Sequence, residues 1–182
     1  MKLTKLFETQ RILDARIEKE HPRVEGEDRL AKKILALQVE LGECANEWRG
    51  FKFWSNDQEP RTKVFDEECD LIHMESIGLE QKNPLLEEYV DCLHFFLSIG
   101  LESNTTPMRV DIYPKADLIG DQFLGAFASI GDMSRCLTKH NYCQALEKFI
   151  GLGEMLGFNW EQIEQAYYNK NAINHTRQDT GY

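Results

Sequence analysis

Acidic residues at helical spacing lie within apolar segments of this chain. Glu40, Glu43 and Glu47 stand at i, i+3 and i+7, and at 3.6 residues per turn these positions share one face of a helix. A second pair, Glu88 and Asp91, has the same spacing in another apolar-rich segment. Because both sets have apolar neighbours, we expect their carboxylates to point into a bundle of helices.

Apolar side chains recur at helical spacing along most of the sequence, and no stretch alternates with period two for long enough to predict a strand. Asn83-Pro84 is typical of a helix start, and Asn159 followed three residues later by Gln162 resembles a capping box. The predicted helical segments are Leu3 to Glu20, Glu27 to Trp48, Leu85 to Leu101, Asp117 to Lys139, Asn141 to Leu156 and Asn159 to about Arg177. We therefore expect an all-α fold, a bundle of four to five main helices plus short helices.

The chain length of 182 residues predicts a single domain, 1–182, large enough to bury a core. Residues 49–83 differ from the rest because they are aromatic at first and then polar and charged. We predict a loop here with one short helix from about Val64 to Ile77, ended by Gly78.

Charge and cysteine usage restrict the possible partners and compartment. A net charge of −10 argues against nucleic acid as a partner, because binding to a phosphate backbone needs a basic surface. The five cysteines, at positions 44, 69, 92, 136 and 143, have no C-x-x-C spacing and indicate free thiols. The N-terminal segment does not resemble a signal peptide, and no apolar run approaches transmembrane length. We expect a cytoplasmic protein that binds no membrane.

The buried acidic residues indicate a metal site. Burying several carboxylates together is costly unless cations neutralise them, and oxygen-only clusters suit hard divalent ions, above all Mg²⁺, which commonly accompanies a phosphate substrate. The alternative is that some of these acids line solvated helix edges, since Glu87 and Glu88 cannot both face one site. A di-iron site is a weaker match, because it needs Glu-x-x-His on two helices and only Asp91-x-x-His94 is comparable.

Two further segments carry candidate binding residues. Lys170, Asn174 and Arg177 form a polar stripe at i, i+4 and i+7 that could bind a triphosphate. The alternative is a favourable placement of cations at a helix C-terminus. The aromatic segment Phe51-Lys52-Phe53-Trp54-Ser55 either stacks on a base or covers the end of the bundle.

These motifs together resemble those of the dimeric, all-α dUTPases, which belong with the MazG-like enzymes to the all-α NTP pyrophosphatase superfamily. Glu-Leu-Gly-Glu leads into Asn-Glu-Trp-Arg-x-Phe-Lys-x-Trp-Ser, then Glu-Glu-Tyr-Val-Asp, then Tyr-x-x-Lys-Asn-x-x-Asn-x-x-Arg-Gln-x-x-Gly-Tyr. The resemblance runs from about residue 5 to Tyr182. It implies a homodimer and Mg²⁺-dependent hydrolysis of dUTP to dUMP and pyrophosphate, with dUDP as a second substrate. Such an activity limits uracil incorporation into DNA and supplies dUMP.

The resemblance also implies roles for individual residues. Two or three Mg²⁺ ions would be held by Glu40, Glu43, Glu88 and Asp91. The phosphates would be bound by Lys170, Asn174 and Arg177, and the nucleoside would lie near Gln10, Asp14, Lys52 and Trp54. Residues from about 55 to 83 resemble an insertion, because the two acidic pairs are farther apart than in compact members of the superfamily.

The position of the acidic residues also predicts which of them is the catalytic base. A carboxylate that accepts a proton from the attacking water must lie within hydrogen-bond reach of it, and Glu43, in the middle of the acidic stripe, is our prediction. Gln10 is the candidate for reading the base edge. Two alternatives remain open: a MazG-like nucleoside triphosphate pyrophosphatase of broader specificity, and a non-catalytic helical interaction module whose acids are merely on the surface.

Overall fold

The computed structural model describes residues 2–63, 82–110 and 113–181. Within these ranges the secondary structure is helical, apart from an isolated bridge between Lys2 and Arg109. The six helices are α1 (Thr4–Glu20), α2 (Arg29–Trp48), α3 (Pro84–Glu102), α4 (Ile119–Arg135), α5 (Lys139–Met155) and α6 (Trp160–Thr180). The all-α prediction is confirmed, with six long helices in the described part where four to five main ones were expected. The predicted short helix, Val64 to Ile77, lies outside the described residues, as does most of the predicted insertion at 55–83.

Side-chain caps explain where the helices begin. The Asp28 carboxylate accepts a hydrogen bond from the Ala31 N–H, so α2 begins two residues after the predicted Glu27. Thr138 caps α5 in the same way, so α5 begins at Lys139 where Asn141 was predicted, and α4 ends at Arg135 where Lys139 was predicted. The predicted capping box at Asn159 is present. Helix α6 continues beyond Arg177 to Thr180, where Gly181 adopts a left-handed conformation with φ of 73°.

Helix α3 lies at the centre of the molecule. It packs against α1, α2, α5 and α6, while α4 packs on α5 and α2. Its core side chains, such as Leu93, Phe96 and Leu97, are fully buried. Contact with α5 is close enough that a Cβ at Gly153 would lie 2.4 Å from the Tyr89 hydroxyl oxygen, so only glycine fits there. The position of α3 brings its acidic residues next to α2 and α6.

The described helices are not long and apolar enough to cross a membrane. Four of the five cysteines lie in the described ranges, and all four are free thiols: Cys44, Cys92, Cys136 and Cys143. This agrees with the expectation drawn from their spacing.

Candidate active site

A cavity of about 490 Å³ lies between α1, α2, α3 and α6. A concave site of this size is typical for a small-molecule ligand. Its wall contains acidic, basic and amide side chains from all four helices, including Gln10, Asp14, Lys33, Glu40, Asp91, His94, Ser98, Asn174 and Arg177. Because residues far apart in sequence converge here, the cavity is the candidate active site.

Three of the predicted metal ligands meet beside this cavity. Glu40 and Glu43 come from α2 and Glu88 from α3, and each offers a carboxylate oxygen within 4.8 Å of the other two. We call these three residues the carboxylate cluster. Glu40 also lines the cavity, which places the cluster at one side of it. The helical spacing on α2 and the packing of α2 on α3 therefore produce the predicted convergence of acids.

The electrostatics of the carboxylate cluster favour a cation. Burial raises the pKa of Glu40 to about 7, and repulsion from Asp91 and Glu43 adds to the effect. Burial likewise raises the pKa of Glu88 to about 7, with repulsion from Asp91, Glu43 and Glu40. Charges of one sign that are held together and half-buried are stabilised by an opposite charge. Since all the donors are carboxylate oxygens, the cluster fits a hard divalent cation such as Mg²⁺.

Asp91, the fourth predicted ligand, is bound to a lysine. The Lys170 Nζ donates to Asp91 Oδ2 at 2.5 Å, and their side chains are only 16% and 17% exposed. Burial raises the pKa of Asp91, and the Lys170 ammonium and Arg177 guanidinium oppose this shift. Asp91 is thus next to the carboxylate cluster but is not one of the three acids that share the 4.8 Å geometry.

The predicted phosphate-binding stripe of α6 faces the same region. Asn174 and Arg177 both line the cavity, and the Arg177 Nη1 donates to Asn174 Oδ1 at 3.5 Å. Lys170 reaches the site through its ion pair with Asp91. The three residues of the stripe therefore lie together near the acids, as the helical spacing predicts.

Gln10 and Asp14, predicted near the nucleoside, line the cavity and belong to a hydrogen-bonded relay. Asp14 accepts from Gln10 Nε2 at 2.8 Å and from Ser98 Oγ at 2.7 Å. This fixes the Gln10 amide, whose Oε1 lies 2.8 Å from the His94 Nδ1 and also accepts from the Tyr167 hydroxyl at 3.0 Å. Because a carbonyl oxygen can only accept, this arrangement assigns the imidazole hydrogen to Nδ1.

His94 is therefore a neutral acceptor in the cavity wall. Burial lowers its pKa to about 3, with a further contribution from the positive charge of Lys170. Its ring stacks on Tyr167 with the centroids 4.2 Å apart, and its Nε2 has no hydrogen-bond partner among the described residues. From the sequence, His94 was considered only as a di-iron ligand, and Ser98 was not predicted. The sequence signal for His94 and Ser98 is their spacing of three and seven residues after Asp91. This spacing puts Asp91, His94 and Ser98 on one side of α3.

Lys52 and Trp54 do not line the cavity. Trp54 is 65% exposed and contacts Phe51 and Phe53 edge to face. Arg49 ends α2 in a left-handed conformation, with φ of 63°, and the following loop carries both residues beyond the C-terminal end of the helix. The cavity lies along the other part of α2, from Arg29 to Glu40. The described part of this chain does not bring Lys52 and Trp54 to the other predicted nucleoside residues.

A comparison with protein families matches this chain to one of them. A family model described as dUTPase matches residues 2–83 and 78–182. The matched ranges contain the carboxylate cluster, Asp91 and the polar stripe of α6. No curated protein sequence matches the chain.

Proposed function

This chain belongs to the all-α dUTPase family and is a dUTP diphosphatase, and on that basis we propose that the cavity between α1, α2, α3 and α6 is its active site. One observation carries the proposal. The carboxylate cluster, assembled from α2 and α3, adjoins a cavity of about 490 Å³ whose wall also bears cationic and amide groups. A nucleoside triphosphate requires positive charge to bind its anionic phosphates, and it requires polar side chains to hydrogen-bond its base and sugar.

The metal is Mg²⁺ in this proposal, with two or three ions held by Glu40, Glu43, Glu88 and Asp91. Their hard oxygen donors suit the ion, which when bound would offset phosphate charge and lower the pKa of a bound water. Glu43 is exposed whereas Glu40 and Glu88 are partly buried. Its carboxylate is therefore the one best placed to take the proton of a water attacking the α-phosphorus, as pyrophosphate leaves.

The polar stripe of α6 binds the phosphates. Arg177 and Lys170 provide positive charge, and Asn174 provides an amide donor. Cationic donors that meet the departing pyrophosphate stabilise the negative charge that develops on it. We also propose dUDP as a second substrate, as the family resemblance implies; attack at its α-phosphorus would release orthophosphate instead of pyrophosphate.

The nucleoside end is formed by Gln10, Asp14 and His94. The Nε2 of neutral His94 is a buried acceptor without a partner in the described structure, and in this proposal a local movement of the cavity wall exposes it to a ligand N–H, which would satisfy it. Uracil carries such an N–H at position 3, whereas cytosine has an acceptor there. Rejection of cytosine then follows from two acceptors facing each other.

We also propose a homodimer in the cytoplasm. Several large apolar side chains on different helices are more than half exposed, among them Ile12, Leu35, Leu124 and Ile173. Their burial between two copies is a physical reason for association. The exposed Cys136 is a free thiol, and exposed thiols persist in reducing compartments.

An assay of pyrophosphate release across dUTP, dTTP, dCTP and UTP tests the proposal, with phosphate release from dUDP measured beside it. We expect release from dUTP in the presence of Mg²⁺, loss of release in EDTA, and little release from the other triphosphates. Equal rates on all four triphosphates would instead indicate a broad nucleoside triphosphate pyrophosphatase. Unchanged rates in EDTA would remove the metal from the mechanism.

A further inference from the structure

Lys170 belongs to the proposed phosphate-binding stripe, but its side chain contacts a proposed metal ligand. It comes from the phosphate-binding stripe of α6, yet in this structure its ammonium donates to Asp91 on α3 at 2.5 Å. Both side chains are more than four-fifths buried, so the ion pair is held by its surroundings.

We propose that Lys170 is an internal counter-ion that competes with the divalent cation for Asp91 and is released to the substrate phosphates. The inference rests on the proposed metal site and adds a coupling between that site and the nucleotide. Binding of a polyphosphate gives the ammonium a new anionic partner, and Asp91 then becomes a free carboxylate next to the carboxylate cluster.

The charges around Asp91 support the competition. Asp91 is close enough to the carboxylate cluster to repel Glu40 and Glu88, and Lys170 acts on the same two acids in the opposite direction. The ammonium therefore already supplies part of the positive charge that these acids require. A divalent cation at the same carboxylates would be repelled by it, since like charges a few ångströms apart in a partly buried site interact strongly.

The phosphates are a suitable second partner for Lys170. A lysine ammonium is a compact charge on a flexible stem and can reorient between anions without the fixed geometry that a guanidinium needs. Asn174 lies one helical turn beyond Lys170 on α6 and lines the cavity. Asp91, the present partner of Lys170, also lines the cavity, so a rotation of the lysine side chain away from Asp91 would turn the ammonium toward a ligand there.

A consequence is mutual reinforcement between nucleotide and metal. If the phosphates draw Lys170 away from Asp91, the metal binds more tightly, and by linkage the metal strengthens nucleotide binding to the same extent. Such a coupling favours the joint binding of both, which is what the hydrolysis of a polyphosphate requires.

Lys33 provides a matched control. It also lines the cavity, its Nζ lies 2.6 Å from Glu102, and the two side chains are 18% and 16% exposed. It differs in that the main charges acting on Glu40, Glu88 and Asp91 come from other residues, and its second carboxylate neighbour, at 3.9 Å, is Asp14. Replacing Lys33 therefore removes a similar ion pair from the same cavity without changing the charge at the metal site.

The test measures Mg²⁺ binding to the nucleotide-free protein by isothermal titration calorimetry, for the wild type and for Lys170→Met, Lys170→Arg and Lys33→Met. We expect Lys170→Met to bind Mg²⁺ about tenfold to a hundredfold more tightly, the range of one charge-assisted hydrogen bond. Lys170→Arg, which keeps the positive charge, and Lys33→Met should stay near the wild type. Circular dichroism and a melting curve establish that each variant is folded, and Lys170→Gln replaces the methionine variant if that one does not fold.

The outcomes separate the two claims. Equal or weaker Mg²⁺ binding by the folded neutral variant would overturn the competition while leaving the metal site in place. Tighter binding by Lys33→Met to the same degree would also overturn it, because a general loss of positive charge would then explain the result. A wild type that binds no Mg²⁺, with or without nucleotide, would overturn the metal site itself.

Discussion

Acidification should unfold this protein partly through His94. Burial holds the pKa of this imidazole at about 3 in the folded state, against an ordinary value of 6.5. Between these two values the unfolded chain binds a proton at His94 that the folded chain does not. By linkage, the free energy of unfolding that this group contributes is present above about pH 6.5 and is lost as the pH falls toward 3.

The size of the effect follows from the two pKa values. One pKa unit corresponds to about 1.4 kcal/mol, so the full difference would be on the order of 5 kcal/mol at very low pH. Integrated only from pH 7 to pH 5, the loss is about 2 kcal/mol. Glu40 and Glu88 act in the opposite direction over this range, because their raised pKa values favour the folded state as the pH falls from about 7 toward 4.5.

A comparison with His94→Gln separates these contributions. The glutamine keeps a donor for Gln10 Oε1 but cannot titrate, while the acidic residues are the same in both proteins. Urea unfolding at pH 7 and pH 5 should show that the wild type loses about 2 kcal/mol more than the variant. A stability difference between the two proteins that is the same at both pH values would refute the assignment of His94 as a buried neutral acceptor.

Three other changes test the site and the assembly. Glu43→Gln should lower kcat at least about a hundredfold while the melting temperature is kept, and near-normal turnover at saturating Mg²⁺ would remove Glu43 from the mechanism. Arg177→Ala should lower kcat/KM by about one to two orders of magnitude with little change in melting temperature. Normal kinetics with a lowered melting temperature would mean that Arg177 only stabilises the end of α6. Light scattering at micromolar concentration should give the mass of a dimer with an interface of upwards of about 2,000 Å², and a monomer mass would contradict the homodimer.

Helical spacing predicted that the acidic side chains of α2 and α3 would lie together, while their role as metal ligands stays a prediction. Glu40 and Glu43 lie one turn apart on α2, and the buried apolar residues of this helix, Ile34, Leu37, Leu41 and Cys44, fix which face packs inward. Glu88 occupies the equivalent face of α3, so the convergence of the three carboxylates follows from amphipathic packing alone. Local capping chemistry likewise predicted the start of α6 at Asn159.

The partners of individual polar side chains were not predictable in this way. Nothing in the spacing of Lys170 indicates that its ammonium donates to Asp91, since that ion pair depends on how α6 lies across α3. The relay from Asp14 through Gln10 to His94 depends similarly on how α1 and α3 pack. The boundary between α4 and α5 was predicted between Lys139 and Asn141 and lies a few residues earlier, because the Thr138 hydroxyl accepts a hydrogen bond from the Asn141 N–H and caps α5.

The decisive test of the metal centre is pyrophosphate release from dUTP by the wild type and by Glu88→Gln. Each protein is assayed with Mg²⁺, after EDTA, and after Mg²⁺ is restored. Glu88 is chosen because it is the member of the carboxylate cluster that α3 contributes. We expect release by the wild type that EDTA abolishes and Mg²⁺ restores, and release by the folded variant that is at least about a hundredfold slower whenever Mg²⁺ is present. Release by Glu88→Gln at the wild-type rate, or release that survives EDTA, would contradict the claim that these carboxylates form the metal centre of the enzyme.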